Sequence, residues 1–198
     1  MILNRLEFLL MNNPVRAFIQ RHIEVPRLRK LGGVLEGGYA LELGCGRGIG
    51  AELILDCFGA AKVDAVDLDP RMIERARRRL QGRPVRVWVA DATRLEVDDS
   101  FYDAAFDFGI IHHIPDWRRA LAEAWRVLKP GGRFYAEEVL RDCFNGRVGR
   151  ALFDHPREDR FDHEQFIAGL GEAGFKIVVT RQAWRRLGWY IAQKDNDA

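Results

Sequence analysis

Residues 39–58, YALELGCGRGIGAELILDCF, constrain the fold more than any other stretch of the chain. A short apolar run, YALEL, leads into four glycines at alternate positions: Gly44, Gly46, Gly48 and Gly50. A helix-forming run follows at 48–58. A strand that turns through glycines into a helix opens a βα unit and sets backbone N–H groups at a helix N-terminus, where ligands approach closely. Glycine is needed wherever a Cβ would block a ligand lying on the backbone. An acid, Glu42, stands two residues before the first glycine.

The same alternation continues downstream. KVDAVDL (62–68) reads as a strand, and PRMIERARRRL (70–80) as a helix with Pro70 at its first position and Asp69 as its cap. PVRVWVA and YDAAFDF are further strands. Asp116 begins a helix through DWRRALAEAWRVL, KPGG stops it, and GRFYAEEV is the next strand. After a polar stretch at 140–165, Asp162 caps a helix ending at Gly174. FKIVVTR and RLGWYIAQK then form a hairpin, which reverses one strand. The expected fold is α/β: a Rossmann-like, doubly wound sheet of seven strands, parallel except for one antiparallel C-terminal strand, with helices on both faces. Residues 1–30 read as a helical cap or lid with breaks near Pro14 and Pro26, and 31–198 as the ligand-binding domain.

Bulk properties narrow the class. With 198 residues, 47% apolar and 30% charged, the chain suits one globular domain. A net charge of +2 argues neither for nucleic acid nor for a membrane surface. Cys45, Cys57 and Cys143 are scattered, which fits a reducing, cytoplasmic setting. MILNRLEFLLMNN is interrupted by Arg5 and Glu7, so it reads as an amphipathic helix and not a signal peptide. No apolar run approaches the ~20 residues of a membrane span.

Two ligands compete for the glycine turn. Gly46, Gly48 and Ala51 satisfy G-x-G-x-x-A, the dinucleotide fingerprint, while Gly44 and Gly46 do not. Asp67 lies 19 residues past Gly48, where an acid can accept both hydroxyls of a ribose. That supports an adenosine-type ligand of either kind.

Four segments in order resemble class I S-adenosylmethionine-dependent methyltransferases, the methyltransferase domain 11 group in particular. They are LELGCGRGIG (41–50), AVDLDP (65–70), VWVADATRL (87–95) and the block FYDAAFDFGIIHHIPDWRRALAEAWRVLKPGGRFYAEE (101–138). The resemblance covers about 39–139 well, the terminal hairpin loosely, and neither 1–30 nor 140–165. It implies S-adenosylmethionine as cofactor, S-adenosylhomocysteine as product and no metal. Glu42 favours this reading, since a carboxylate repels a pyrophosphate and welcomes a methionine ammonium.

The resemblance implies roles for particular residues. Glu42, Gly44, Cys45, Gly46 and Gly48 would surround the methionine part and ribose, with Cys45 inside the turn and not a nucleophile. Asp67 would accept from the ribose, and Leu68 and Met72 pack on the adenine. Asp91 and Ala92 would read the adenine amino edge. Asp107 and Phe108 follow the fourth strand at the C-terminal edge of the sheet, and that position, not a fixed family residue, would set Asp107 near the methionine part or the sulfonium. His112, His113 and Glu137 are the candidate catalytic groups. One histidine would serve as base to the methyl acceptor, or both would serve structure. Either Glu137 or Glu138 would face the pocket, leaving the other solvated or paired.

FDHPREDRFDH (153–163) holds acids and two histidines but no recognised ligand spacing, and reads as a polar loop over the site. Phe8, Met11, Phe18, Phe144 and Phe153 supply apolar surface to a lid. A small-molecule acceptor suits so short a chain. An RNA methyltransferase using Arg71, Arg75, Arg78 and Arg79, and a nicotinamide-dinucleotide-binding Rossmann-like protein, are the alternatives. The acceptor atom and the oligomeric state are not readable from these residues.

Overall fold

A computed structural model describes residues 13–144 and 160–197. Residues 1–12, with Phe8 and Met11, and 145–159, with Phe153, lie outside the described residues, as does the side chain of Phe144.

Asn13 caps helix α1 (Pro14–Ile19), its side chain accepting from the Val15 N–H at 2.8 Å. A π turn (Gln20–Glu24) joins α1 to α2 (Val25–Gly32). The expected break at Pro26 does not occur. The wider π turn just before it accommodates a residue with no N–H to donate, so the helix runs through.

The alternating units follow: β1 (Tyr39–Leu43), α3 (Ile49–Phe58), β2 (Lys62–Asp67), α4 (Pro70–Arg79), β3 (Val85–Val89), β4 (Tyr102–Phe108), α5 (Trp117–Val127) and β5 (Leu128–Val139). Helix α6 (His163–Glu172) and the hairpin β6 (Phe175–Ala183) and β7 (Leu187–Lys194) complete the described chain. Local chemistry sets these boundaries as read from sequence. Asp69, Asp116 and Asp162 each cap a helix, and Asp162 with Gln165 forms a capping box. KPGG differs: it sits inside β5, where the register with β4 jumps between Tyr102 and Ala104.

The seven strands form one sheet in the order β3-β2-β1-β4-β5-β7-β6. β7 pairs antiparallel with both β5 and β6 and is the single reversed strand. The central strands are apolar along nearly their whole length because helices cover both faces. Leu28, Leu53, Phe58, Ile73 and Tyr135 fill the layer under α2, α3 and α4. Trp117, Leu121, Phe166, Leu170 and Tyr190 fill the layer under α5 and α6. Register places Leu43 beside Val66 on one side and Asp107 on the other. The C-terminal ends of β1, β2 and β4 therefore meet at one edge, where the strand order reverses and open α/β sheets bind ligands.

Candidate active site

A cavity of about 350 Å³ lies at that edge, a size suited to a small ligand. Its walls include Glu42 near the end of β1 with Gly44, Cys45 and Gly46 beyond it, and Asp67 at the end of β2 with Leu68 and Met72 beyond it. Asp91 and Ala92 follow β3, Phe108 ends β4, and His113 stands on the turn beyond. Gly48, Asp107, His112 and Glu137 do not line it.

The glycines divide by cause. A Cβ on Gly50 would collide with the Glu42 carboxyl and crowd the Phe108 ring, so helix α3 can sit on β1 only with glycine there. Gly46 has a φ of 52° and nothing within 4 Å of a Cβ position, so its backbone faces open space on the cavity wall. Gly48 packs toward Leu80 and Ala76 of the neighbouring helix region, which leaves the G-x-G-x-x-A frame without its central contact to a ligand.

Asp67 is held by two donors. Its Oδ2 accepts from the Gly46 N–H at 2.8 Å and its Oδ1 from the Asp69 N–H at 2.9 Å. Each carboxylate oxygen has a second acceptor site, so one remains on each oxygen, the set that a vicinal diol requires. Burial raises the Asp67 carboxyl above its usual range, with the two N–H donors pulling the other way.

Glu42 is buried, and its Oε2 has no partner among the described residues. Burial pushes its carboxyl well above the ordinary carboxylate range. The Ala51 N–H opposes this, and the nearby Asp67 and Asp107 add to it. A buried acceptor left open on a cavity wall, beside two more acids, suits a cation. Burial also raises the Cys45 thiol, so it stays protonated and unreactive. Asp91 accepts from both the Thr93 N–H and hydroxyl at 2.8 Å, and Thr93 joins the wall.

The candidate catalytic groups separate. His113 lines the cavity, with the His112 ring packed against it at 4.1 Å between centroids. His112 is buried and turned away, its Nδ1 2.6 Å from Glu138 Oε2. Burial drives the His112 pKa down to about 3, with Arg160 and Arg16 adding, so the neutral ring donates Nδ1–H. Glu138 also receives the Ile111 N–H at 2.7 Å and the His112 N–H at 3.3 Å. Asp107 accepts from the Ile110 N–H at 2.8 Å and lies against Glu138. Burial and Glu138 together push the Asp107 carboxyl well up. Glu137 is buried too, accepting from Trp189 Nε1 at 2.6 Å beside Glu24. Neither glutamate is solvated and neither faces the cavity. The two acids are fasteners, one for the loop that carries His113 and one for the N-terminal helix.

Glu138→Gln is expected to destabilise the fold by about 2–4 kcal/mol, since it removes the charge that gathers buried donors from three residues. Urea unfolding measures this. A loss under about 0.5 kcal/mol would show that the loop does not depend on it.

Sequence reasoning missed Arg16 and Gln20, which reach the cavity from α1 and the π turn. Arg16 pairs with Glu24 at 2.5 Å and donates to the Phe108 carbonyl at 3.4 Å.

Residues 41–136 match the family model described as methyltransferase domain. A probable S-adenosylmethionine-dependent methyltransferase of Mycolicibacterium smegmatis is 33% identical over 145 residues, covering 73% of this chain and 54% of that protein. A ubiquinone/menaquinone biosynthesis C-methyltransferase of Desulfotalea psychrophila is 34% identical over 96 residues, or 48% of this chain and 39% of that one. The matched part thus spans about half or less of these curated relatives. A solved complex between the Haloferax volcanii Trm112 methyltransferase activator and a putative methyltransferase contains a chain of the same fold. Its TM-score is 0.77 at 19% identity, covering 91% of this chain and 93% of that one. The chain belongs to the class I S-adenosylmethionine-dependent methyltransferases. Among the described residues, no helix is long and apolar enough to cross a membrane.

Proposed function

We propose that this chain binds S-adenosylmethionine in the cavity at the β1–β4 edge and transfers its methyl group to a small-molecule acceptor. The observation that carries the reading is the open, buried acceptor Glu42 Oε2 beside the bare backbone of Gly46. A cationic ligand satisfies the first and a close-lying one the second, whereas a pyrophosphate meets the Glu42 and Asp67 carboxyls.

Glu42 takes the methionine ammonium, and Asp67 takes the ribose hydroxyls through its two remaining acceptor sites. Leu68 and Met72 pack on the adenine, and Asp91 and Ala92 bound its edge. Arg16 brings a guanidinium to the same cavity and suits the methionine carboxylate. When bound, the cofactor supplies an electrophilic methyl on a sulfonium. The chain's own task is then alignment, with His113 the group placed to hold a proton released by the acceptor. Arg16 and Gln20 bring the N-terminal helix to one side of the cavity, which supports reading that segment as a cap.

Calorimetric titration with S-adenosylhomocysteine and, separately, NAD tests this. Micromolar binding of S-adenosylhomocysteine alone is expected. Binding of NAD alone would overturn the reading in favour of the dinucleotide frame. Binding of RNA that weakens steeply with salt would instead point to the α4 arginines and an RNA acceptor.

A further inference from the structure

The helix from Asn13 to Gly32 has two apolar faces, and the fold uses only one. Its inner face buries Val25 and Leu28, holds Gln20 and Glu24 inside, and is tied down where Tyr135 donates to the Gly32 carbonyl at 2.8 Å. Its outer face carries Val15, Phe18, Ile19 and Ile23, which are 60, 62, 36 and 49% exposed. His22 and Pro26 are exposed between and beyond them, with the His22 ring 4.4 Å from that of Phe18. The sequence steps are three, one, three, one and three residues, the spacing of a single helical stripe. A surface helix of a globular protein ordinarily turns polar groups to that side.

The charges on the helix itself are mostly of one sign. From 13 to 32 the chain has Arg16, Arg21, Arg27, Arg29 and Lys30 against one acid, Glu24, which is buried and paired inward with Arg16. The basic border continues onto the next helices. Arg21 and Arg79 share Glu52 at 3.0 and 3.1 Å. Arg47 donates to the Asn13 carbonyl at 3.1 Å and lies within electrostatic reach of Arg75 and Arg79. Residues 13–32 carry five cations against one acid, a net +4 on a chain whose total charge is +2.

We propose that this outer helix face docks on an anionic lipid surface, with Phe18, Ile19 and Ile23 entering the acyl boundary and the arginines at phosphate level. An apolar stripe bordered by cations is what such a surface recognises. A second copy of this chain would set the same cations against one another and is disfavoured by that repulsion. The cavity is walled by the inner side of the same helix, through Arg16 and Gln20, so docking sets it beside the headgroup layer. Resting on the methyltransferase reading, the acceptor class that follows is an amphiphile drawn from that layer. The sequence suggested no membrane partner because net charge averages this face with the acidic remainder.

Sedimentation of the whole chain with vesicles of phosphatidylcholine, and of phosphatidylcholine mixed with phosphatidylglycerol, is the test. Partition is expected to be about tenfold or more stronger on the anionic vesicles. Phe18→Ser combined with Ile23→Ser should lower it by about tenfold or more, and Arg29→Glu with Lys30→Glu should do the same. Trp184→Ser, at a site 85% exposed on the β6–β7 turn and not on this helix, should change nothing. S-adenosylhomocysteine titration in vesicle-free buffer should be unaltered in all three variants, which shows that they fold. Equal partition on both vesicle types, or none, would overturn the proposal. So would a change of oligomeric state in the Phe18/Ile23 variant without vesicles, which would mark a self-interface. Loss of S-adenosylhomocysteine binding by the unmodified protein would count against the cofactor reading and leave the vesicle result standing.

Discussion

Asp67→Ala is expected to weaken S-adenosylhomocysteine binding by about 100-fold or more while leaving a folded protein. Asp67 ends β2 with one acceptor site spent on each oxygen, on the Gly46 and Asp69 N–H groups. Two hydroxyl donors to the remaining sites make two hydrogen bonds to a charged group, each about 1.5–3 kcal/mol. Alanine deletes both. It also releases the two N–H donors at the cavity wall, where water can reach them, so the cost to stability is smaller than the cost to affinity. Asp67→Asn should fall between, because it keeps one carbonyl oxygen and loses the charge. Calorimetry at matched pH gives the ratio, and circular dichroism checks the fold. Affinity within about threefold of the unaltered protein would remove Asp67 from the site and with it the ribose assignment.

The fold was readable where its causes are local. Strand and helix boundaries follow from apolar runs, from Pro70 at a helix start and from three aspartate caps, and each acts within four residues of itself. The short link in the C-terminal hairpin was enough to predict one reversed strand. Pro26 misled because the π turn that accommodates it leaves no residue signature. KPGG marked the end of helix α5, which stops at Val127, but it lies within β5 and not before it, because a register jump in that strand accommodates it. At the site, Glu42, Asp67 and Asp91 were legible because strand ends converge on one edge of any such sheet. Glu137 and Glu138 were not: their partners, Glu24, Trp189, Asp107 and His112, come from elements up to about a hundred residues away, and only packing brings them together. Arg16 and Gln20 were hidden for the same reason, since the sequence places them on a helix but not over the cavity.

Glu42→Gln is expected to move stability and affinity in opposite directions. The folded protein holds the Glu42 carboxyl well above the range it has when unfolded, chiefly through burial. Above the unfolded value the folded state therefore binds the extra proton, and stability falls as pH rises toward the folded value. Glutamine cannot pay this cost. The variant should match the parent near pH 4, gain on it as pH rises, and be the more stable of the two near neutrality by urea unfolding. Ligand binding runs the other way. A bound ammonium favours the ionised carboxylate, so binding drives the proton off Glu42 and strengthens with pH over the same window. Replacing one partner of such a buried pair costs about 2 kcal/mol, or roughly 30-fold in affinity for S-adenosylhomocysteine. The proton itself is observable: the apparent binding enthalpy of the parent should depend on the ionisation enthalpy of the buffer, and that of the variant should not. A variant less stable than the parent at neutral pH, with unchanged affinity and the same buffer dependence, would mean that Glu42 is a structural acid and that the ammonium is held elsewhere.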